Sequence, residues 1–119
     1  MNADPNEWLG RTTAREISLL LEQIHTGALS SQSSRDEMIS ILKKQKSISR
    51  LPQRIRLQNV SVAHKTGDSP PTTANDVGIL YYPGGPTVIS VFTNENKGDF
   101  VNLEETIGLI AEDLVKQWH

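Results

Sequence analysis

From Thr13 onward, apolar residues recur at helical spacing. Ile17, Leu20, Leu21 and Ile24 share one face, and Thr13-Ala14-Arg15-Glu16 reads as a capping box at the start of that helix. Gly27 stands where a left-handed C-cap is wanted. A serine-rich turn over 28–33 follows, and Ser34-Arg35-Asp36-Glu37 is a second capping box. It leads a helix with Met38, Ile41 and Leu42 on one face and Lys43, Lys44 and Lys46 at its end, where cations suit the helix dipole. Residues 1–11 read as a loose lead-in, and 47–58, with Pro52 and three arginines, as an irregular connection.

At Val60 the period changes from helical to alternating. Val60 and Val62 alternate with Ser61 and Ala63 in a strand expected to end near Lys65. Asp68 to Asn75, after Gly67 and around Pro70 and Pro71, reads as a loop. Val77–Tyr82 and Thr87–Thr93 are two further strands, joined by Pro83-Gly84-Gly85-Pro86 as a hairpin turn. Neither alternates cleanly, which predicts cover on both faces. Asn102, with Glu105 three residues on, opens a last helix whose buried stripe is Ile107, Ile110, Ala111, Leu114 and Trp118. The expected class is α+β: a three-stranded antiparallel sheet packed by a C-terminal helix, with two N-terminal helices, in one domain over 1–119.

Composition narrows the function classes. With 119 residues, 36% hydrophobic and 22% charged, the chain can bury a modest core. A net charge of −2 gives no electrostatic footprint for nucleic acid or an anionic membrane. The absence of cysteine excludes disulfides, thiolate metal sites and a cysteine nucleophile. No apolar run reaches membrane-spanning length, and the polar, acidic stretch Met1–Gly10 does not read as a signal peptide.

The chemistry-bearing candidates are Lys65-Thr66-Gly67. An ammonium supplies a field, a hydroxyl donates to a carboxylate, and a glycine lets a ligand approach the backbone. A bare tripeptide of this kind is otherwise a strand end with a glycine bulge. Its context is Val62-Ala63-His64-Lys65-Thr66-Gly67, a polar loop, Asn75-Asp76-Val77-Gly78-Ile79, a hairpin turn and the strand Val88–Thr93. With the helix after Thr12-Thr13 and the final amphipathic helix, this order over roughly 11–118 resembles the C-terminal portion of class A β-lactamases and related penicillin-recognising serine hydrolases.

That resemblance implies a partial β-lactamase/transpeptidase-like fold and β-lactam hydrolysis through an acyl-serine intermediate. Lys65 would supply positive potential and join a proton relay, and Thr66 would hydrogen-bond the β-lactam carboxylate. Gly67 would let the acyl group lie along the strand, and the backbone N–H of Asp68 would be one of two oxyanion-hole donors. The implied ligand is a β-lactam or a peptidoglycan-peptide-like small molecule, without cofactor or metal, and the family is typically periplasmic or secreted. In the family the strand matching Val88–Thr93 pairs with an upstream strand outside the matched region. An open edge there predicts a homo-oligomer. The alternative is a non-catalytic carboxylate- or peptide-binding module derived from the same fold.

Several residues imitate parts of such a site. Ser40-Ile41-Leu42-Lys43 spells Ser-x-x-Lys, but it lies just before Lys65, where the family has no nucleophile, and it reads as a solvent-side helix pair. No Ser-Asp-Asn occurs, and Glu7 lacks the context that would assign it as a deacylating glutamate. The missing Ser-x-x-Lys and Ser-Asp-Asn parts predict inactivity of these residues alone. His64 alternates away from Lys65, as a packed or solvated histidine would, and His25 and His119 have no partners at metal-ligand spacing. Arg50, Arg54 and Arg56 read as a solvated basic loop, or as a source of one arginine for a ligand carboxylate. Tyr81 and Tyr82 read as strand residues.

Overall fold

The computed structural model describes residues 10–117. The elements run α1 (Ala14–Thr26), α2 (Gln32–Lys43), β1 (Ser61–Ser69), β2 (Thr73–Tyr81), β3 (Thr87–Val91) and α3 (Phe100–Lys116). The sheet is antiparallel in the order β1-β2-β3, so β1 and β3 are its edges. This is the α+β arrangement that the hydrophobic pattern predicts.

α1 begins where expected, with the Thr13 hydroxyl accepting from the Glu16 N–H at 3.1 Å. It ends on Gly27 at φ 80°, where the Gly27 N–H bonds Ile24 O and the Ala28 N–H bonds Gln23 O. That paired closure is the Schellman motif, and it satisfies carbonyls the helix leaves open. Two other starts fall one turn earlier than the sequence suggested. Ser31 rather than Ser34 caps α2, through Ser34 N–H to Ser31 Oγ, and Asp99 rather than Asn102 caps α3, through Val101 N–H to Asp99 Oδ1. In each case a capping residue stood three positions upstream, and nothing between forbade a further turn of helix.

The first hairpin differs most from expectation. β1 continues through Lys65-Thr66-Gly67-Asp68 to Ser69, and β2 starts at Thr73, so the stretch read as a loop is a paired ladder with a turn of three residues. The turn from Tyr82 to Thr87 is as predicted, with Gly85 N–H bonded to Tyr82 O at 2.9 Å.

β2 is the central strand and is covered on both sides, which accounts for its unbroken Val77-Gly78-Ile79-Leu80 run. On one face Ala74, Leu80 and Ile89 pack with Ile107, Ala111 and Val115 of α3 and with Leu51 and Ile55. On the other, Ala63 and Ile79 pack with Leu21 of α1 and Ile39 of α2. Residues 47–58, expected to be an irregular connection, lead into consecutive turns over 51–59 in which Leu51 and Ile55 are fully buried. Burying each such side chain stabilises by roughly 1.5–3 kcal/mol. Leu20 and Ile41, placed on the apolar faces of their helices, and Ile110, assigned to the buried stripe of the last helix, are exposed, and Trp118 lies outside the described residues.

Polar clasps fix the helices on the sheet. Ser18 Oγ meets Ser90 Oγ at 2.8 Å, joining α1 to β3. His25 Nδ1 lies 2.9 Å from the Tyr81 hydroxyl, and the Lys43 ammonium sits 4.4 Å over the Tyr81 ring. Burial pushes the Tyr81 phenol above its ordinary pKa, with the Arg35 charge opposing.

Gly78 sets the closeness of β1 and β2. A Cβ there would stand 2.6 Å from Ala63 O and 2.7 Å from His64 Cβ. Gly78→Ala should therefore destabilise the chain by about 1–3 kcal/mol through overpacking, measured as a lowered midpoint in urea unfolding. An unchanged midpoint would mean that the two strands sit further apart than described.

Candidate functional site

Lys65, Thr66, Gly67 and Asp68 sit together on the outer strand of the sheet, with no strand beyond β1 among the described residues. Alternation along β1 sends Lys65 and Gly67 toward α1 and sends Thr66 and Asp68 toward the opposite face. A shallow, open groove of about 200 Å³ lies alongside, walled by Thr12, Lys65, Thr66, Gly67, Asn75 and Phe92 among others. Lys65 is exposed, and its ammonium donates to Thr66 O at 2.6 Å. At Gly67 an added Cβ would meet no atom within 4 Å. The fold itself does not require glycine there. A more enclosed, largely apolar cleft of about 280 Å³ opens at the far end of the sheet, by Val60, Tyr82 and Val115. Its one titratable side chain, Tyr82, shares its hydroxyl with Thr87 at 2.7 Å, so the cleft offers little chemistry.

Behind the tetrad stands a buried polar framework that the sequence reading did not assemble. Arg50 is 3% exposed. Its Nε donates to Glu104 Oε2 at 3.0 Å, its Nη1 to Asn75 O at 3.1 Å and its Nη2 to Asp68 Oδ2 at 2.6 Å. Glu104 also accepts from Ser49 Oγ at 2.6 Å. One guanidinium thus ties the 50–59 turns, α3, β2 and the end of β1. The expectation of a solvated arginine loop is wrong for Arg50, because a charge removed from water needs partners of this kind. It does hold a carboxylate, the protein's own. Arg54 matches the solvated expectation better. It is exposed, pairs with Glu112 at 3.1 Å and Glu105 at 3.8 Å, and its hydrogen bond holds the Glu112 carboxyl below the usual carboxylate range.

His64 faces away from Lys65, as alternation predicts, and it is packed rather than solvated, at 2% exposure. Its Nδ1 donates to both oxygens of the wholly buried Asp76, at 2.8 and 3.0 Å, and Asp76 Oδ2 also accepts from the Leu51 N–H at 3.0 Å. A signal for this pair existed: an aspartate inside an otherwise apolar strand needs buried partners. Among the described residues no buried side-chain nitrogen or oxygen is left without a partner.

The imitating residues stay apart from the groove. Ser40 and Lys43 lie on α2 beside Arg35 and Asp36, and no hydrogen bond joins them among the described residues. Glu7 and His119 lie outside the described residues. Among those described, no group of three or more His, Asp or Glu could hold a metal ion, and no helix is long and apolar enough to cross a membrane.

The geometry matches a known group of proteins. Residues 1–118 match the β-lactamase enzyme family, and the chain belongs to that family. Among solved structures, it superposes on a β-lactamase from Chitinophaga pinensis with a TM-score of 0.75 and 30% identity, covering 86% of this chain and 40% of that one. TLA-1 extended-spectrum β-lactamase aligns at TM-score 0.79 and 24% identity over 90% of this chain and 40% of the other. A variant of the last common ancestor of Gram-negative class A β-lactamases aligns at 0.82 and 24%, over 98% and 44%. The chain therefore spans about two fifths of the length of these structures, and its fold is a partial class A β-lactamase-like fold. No curated protein matches it.

The buried framework predicts unequal roles for the arginines. Arg50→Ala leaves Glu104 and Asp68 without their cation and should cost about 3–5 kcal/mol in guanidinium unfolding. Arg54→Ala, a surface change, should cost under about 1 kcal/mol. Equal losses would contradict the burial difference described above.

Proposed function

We propose that Lys65, Thr66, Gly67 and Asp68 form one wall of a serine β-lactamase-type acyl-transfer site. The observation that carries this reading is the placement of the four on an edge strand, with Lys65, Thr66 and Gly67 lining a groove and unfilled space over Gly67. Lys65 provides positive potential, and the Thr66 hydroxyl donates to the carboxylate of a β-lactam or peptidoglycan-like peptide. Gly67 admits the acyl group along the strand. The Asp68 backbone N–H serves as one donor to the oxyanion that develops at the attacked carbonyl.

Among the described residues no attacking hydroxyl paired with an activating amine joins this wall. The one Ser-x-x-Lys, at Ser40 and Lys43, is on α2, where the Lys43 ammonium is engaged over the Tyr81 ring. These residues by themselves bind a ligand reversibly and form no acyl intermediate. In this they act as the non-catalytic module that is the alternative to a complete hydrolase.

Two measurements test this reading. Benzylpenicillin titrated into the isotope-labelled chain should shift the amide resonances of 65–68 saturably, while fluorescent penicillin leaves no covalent label. Gly67→Ala should reduce that binding about tenfold or more without lowering thermal stability, because alanine fits the strand at least as well as glycine. A covalent label that disappears in Ser40→Ala, or shifts that bypass 65–68, would overturn the proposal.

The open edge of β3 supports a partner as well. An unpaired strand presents free N–H and C=O groups to another chain, and a second copy of this chain is the proposed occupant. Light scattering should give a mass above that of one chain at high protein concentration. A monomer throughout the range would rule this out.

A further inference from the structure

We infer that the cavity between the end of α2, the 51–59 turns and β1 is a binding site for a hydrogen-phosphate group, either the free ion or the terminal group of a small monoester. Lys43 and Arg56 supply its counter-charge, and His64 Nε2 meets its acidic edge. The site is separate from the wall at 65–68 and does not depend on it.

Charge is distributed unevenly along this chain. Residues 38–67 hold seven of its twelve lysines and arginines and none of its fourteen carboxylates. Arg50 and Arg54 are neutralised by acids of other segments. The exposed Arg56 guanidinium forms no ion pair or hydrogen bond among the described residues. Lys43 lies over the Tyr81 ring and pairs with no carboxylate among them. Both side chains line one cavity of about 220 Å³, with Gln45, Ser61 and His64, and no acidic side chain among the described residues lines it. That volume is below the range of drug-sized ligand pockets and suits a small ion.

A buried group distinguishes this cavity from a patch of surface lysines. His64 is 2% exposed, and Asp76 holds its Nδ1 as the donor. Its second nitrogen, Nε2, has no partner among the described residues. No fully buried side-chain nitrogen lacks a partner there, so the small exposed part of His64 includes Nε2, and His64 lines this cavity. Such a nitrogen accepts from an O–H when bare and donates to an oxygen when protonated. A hydrogen phosphate offers both an acidic hydroxyl and anionic oxygens, so it satisfies either form of the ring. The Ser61 hydroxyl adds a donor. The carbonyls at the end of α2, whose dipole opposes an anion, are partly engaged, since Gln45 Nε2 donates to Ile41 O at 3.3 Å.

Inorganic phosphate, titrated into the isotope-labelled chain at fixed neutral pH and ionic strength, should shift the His64 ring resonances saturably. Arg56→Gln should weaken this binding about tenfold or more, because it removes a charge-assisted contact. Arg54→Gln, two residues away and outside the cavity, should change it by less than about twofold, because a screened surface charge acts weakly at a distance. His64→Asn keeps a donor for Asp76 in the place of Nδ1 and removes Nε2, and should weaken binding as much as Arg56→Gln does. The two arginine variants, both at exposed positions, decide the matter if the asparagine variant does not fold. Glycerol 3-phosphate binding as tightly as phosphate identifies a monoester site, and weaker binding identifies the free ion. A response that sodium chloride reproduces, equal losses in Arg56→Gln and Arg54→Gln, or His64 ring resonances that do not move would overturn the site.

Discussion

A buried guanidinium cannot be left without acceptors, and that constraint organises this molecule. Arg50 draws its partners from three places distant in sequence: Asp68 at the end of β1, the Asn75 carbonyl on β2 and Glu104 on α3. These bonds form together only when the hairpin is in register and α3 lies across it. Asp76 does the same from the other direction, binding His64 across the hairpin and the Leu51 N–H beside Arg50. Apolar packing supplies most of the stability, but it is tolerant of small slips. Charged groups with fixed partners are not, and they define where the strand carrying Lys65 to Asp68 must lie.

The functional consequence is a division of labour across one strand. One side of β1 is locked to the core through His64 and Asp68, the other side lines the groove through Lys65 and Gly67, and the outer edge has no strand beside it among the described residues. A site for acyl transfer needs donors held rigidly against an open space, since donors that reorganise during reaction stabilise charge poorly. Here rigidity comes from charges hidden behind the strand. Asp68 belongs to both sides, because its carboxylate anchors the framework while its backbone lies on the edge.

Much of this was legible in the sequence. Helical spacing located three helices, and capping boxes and glycines marked several of their ends. The change of period at Val60 marked the sheet, and the ordered context around Lys65-Thr66-Gly67, from the helix after Thr12-Thr13 to the final amphipathic helix, indicated the family. Helix starts slipped by a turn because Ser31 and Ser34, or Asp99 and Asn102, are chemically equivalent caps, and only tertiary context chooses between them. The loop assigned over 68–75 failed because Gly67, Pro70 and Pro71 weighed against strand, although only residues 70–72 leave it. With the hairpin misread, Asp76 could not be placed opposite His64, and with the 50–59 turns read as solvated, Arg50 could not be placed against Asp68. Long-range pairing of buried charge leaves almost no local trace, since an arginine in a turn looks the same whether it meets water or a carboxylate.

The tip of the first hairpin stands outside this framework. Pro71 and Thr72 accept from the Asn96 side-chain amide and backbone N–H, and those bonds fasten the tip to the segment after β3 rather than to the core. Residues inserted there would lengthen the edge that carries Lys65 to Asp68 while leaving the charged framework intact. Such a turn is a place where length and sequence can vary without risking collapse of the scaffold, so sequence drift in this protein should accumulate at that corner before it reaches the strands on either side.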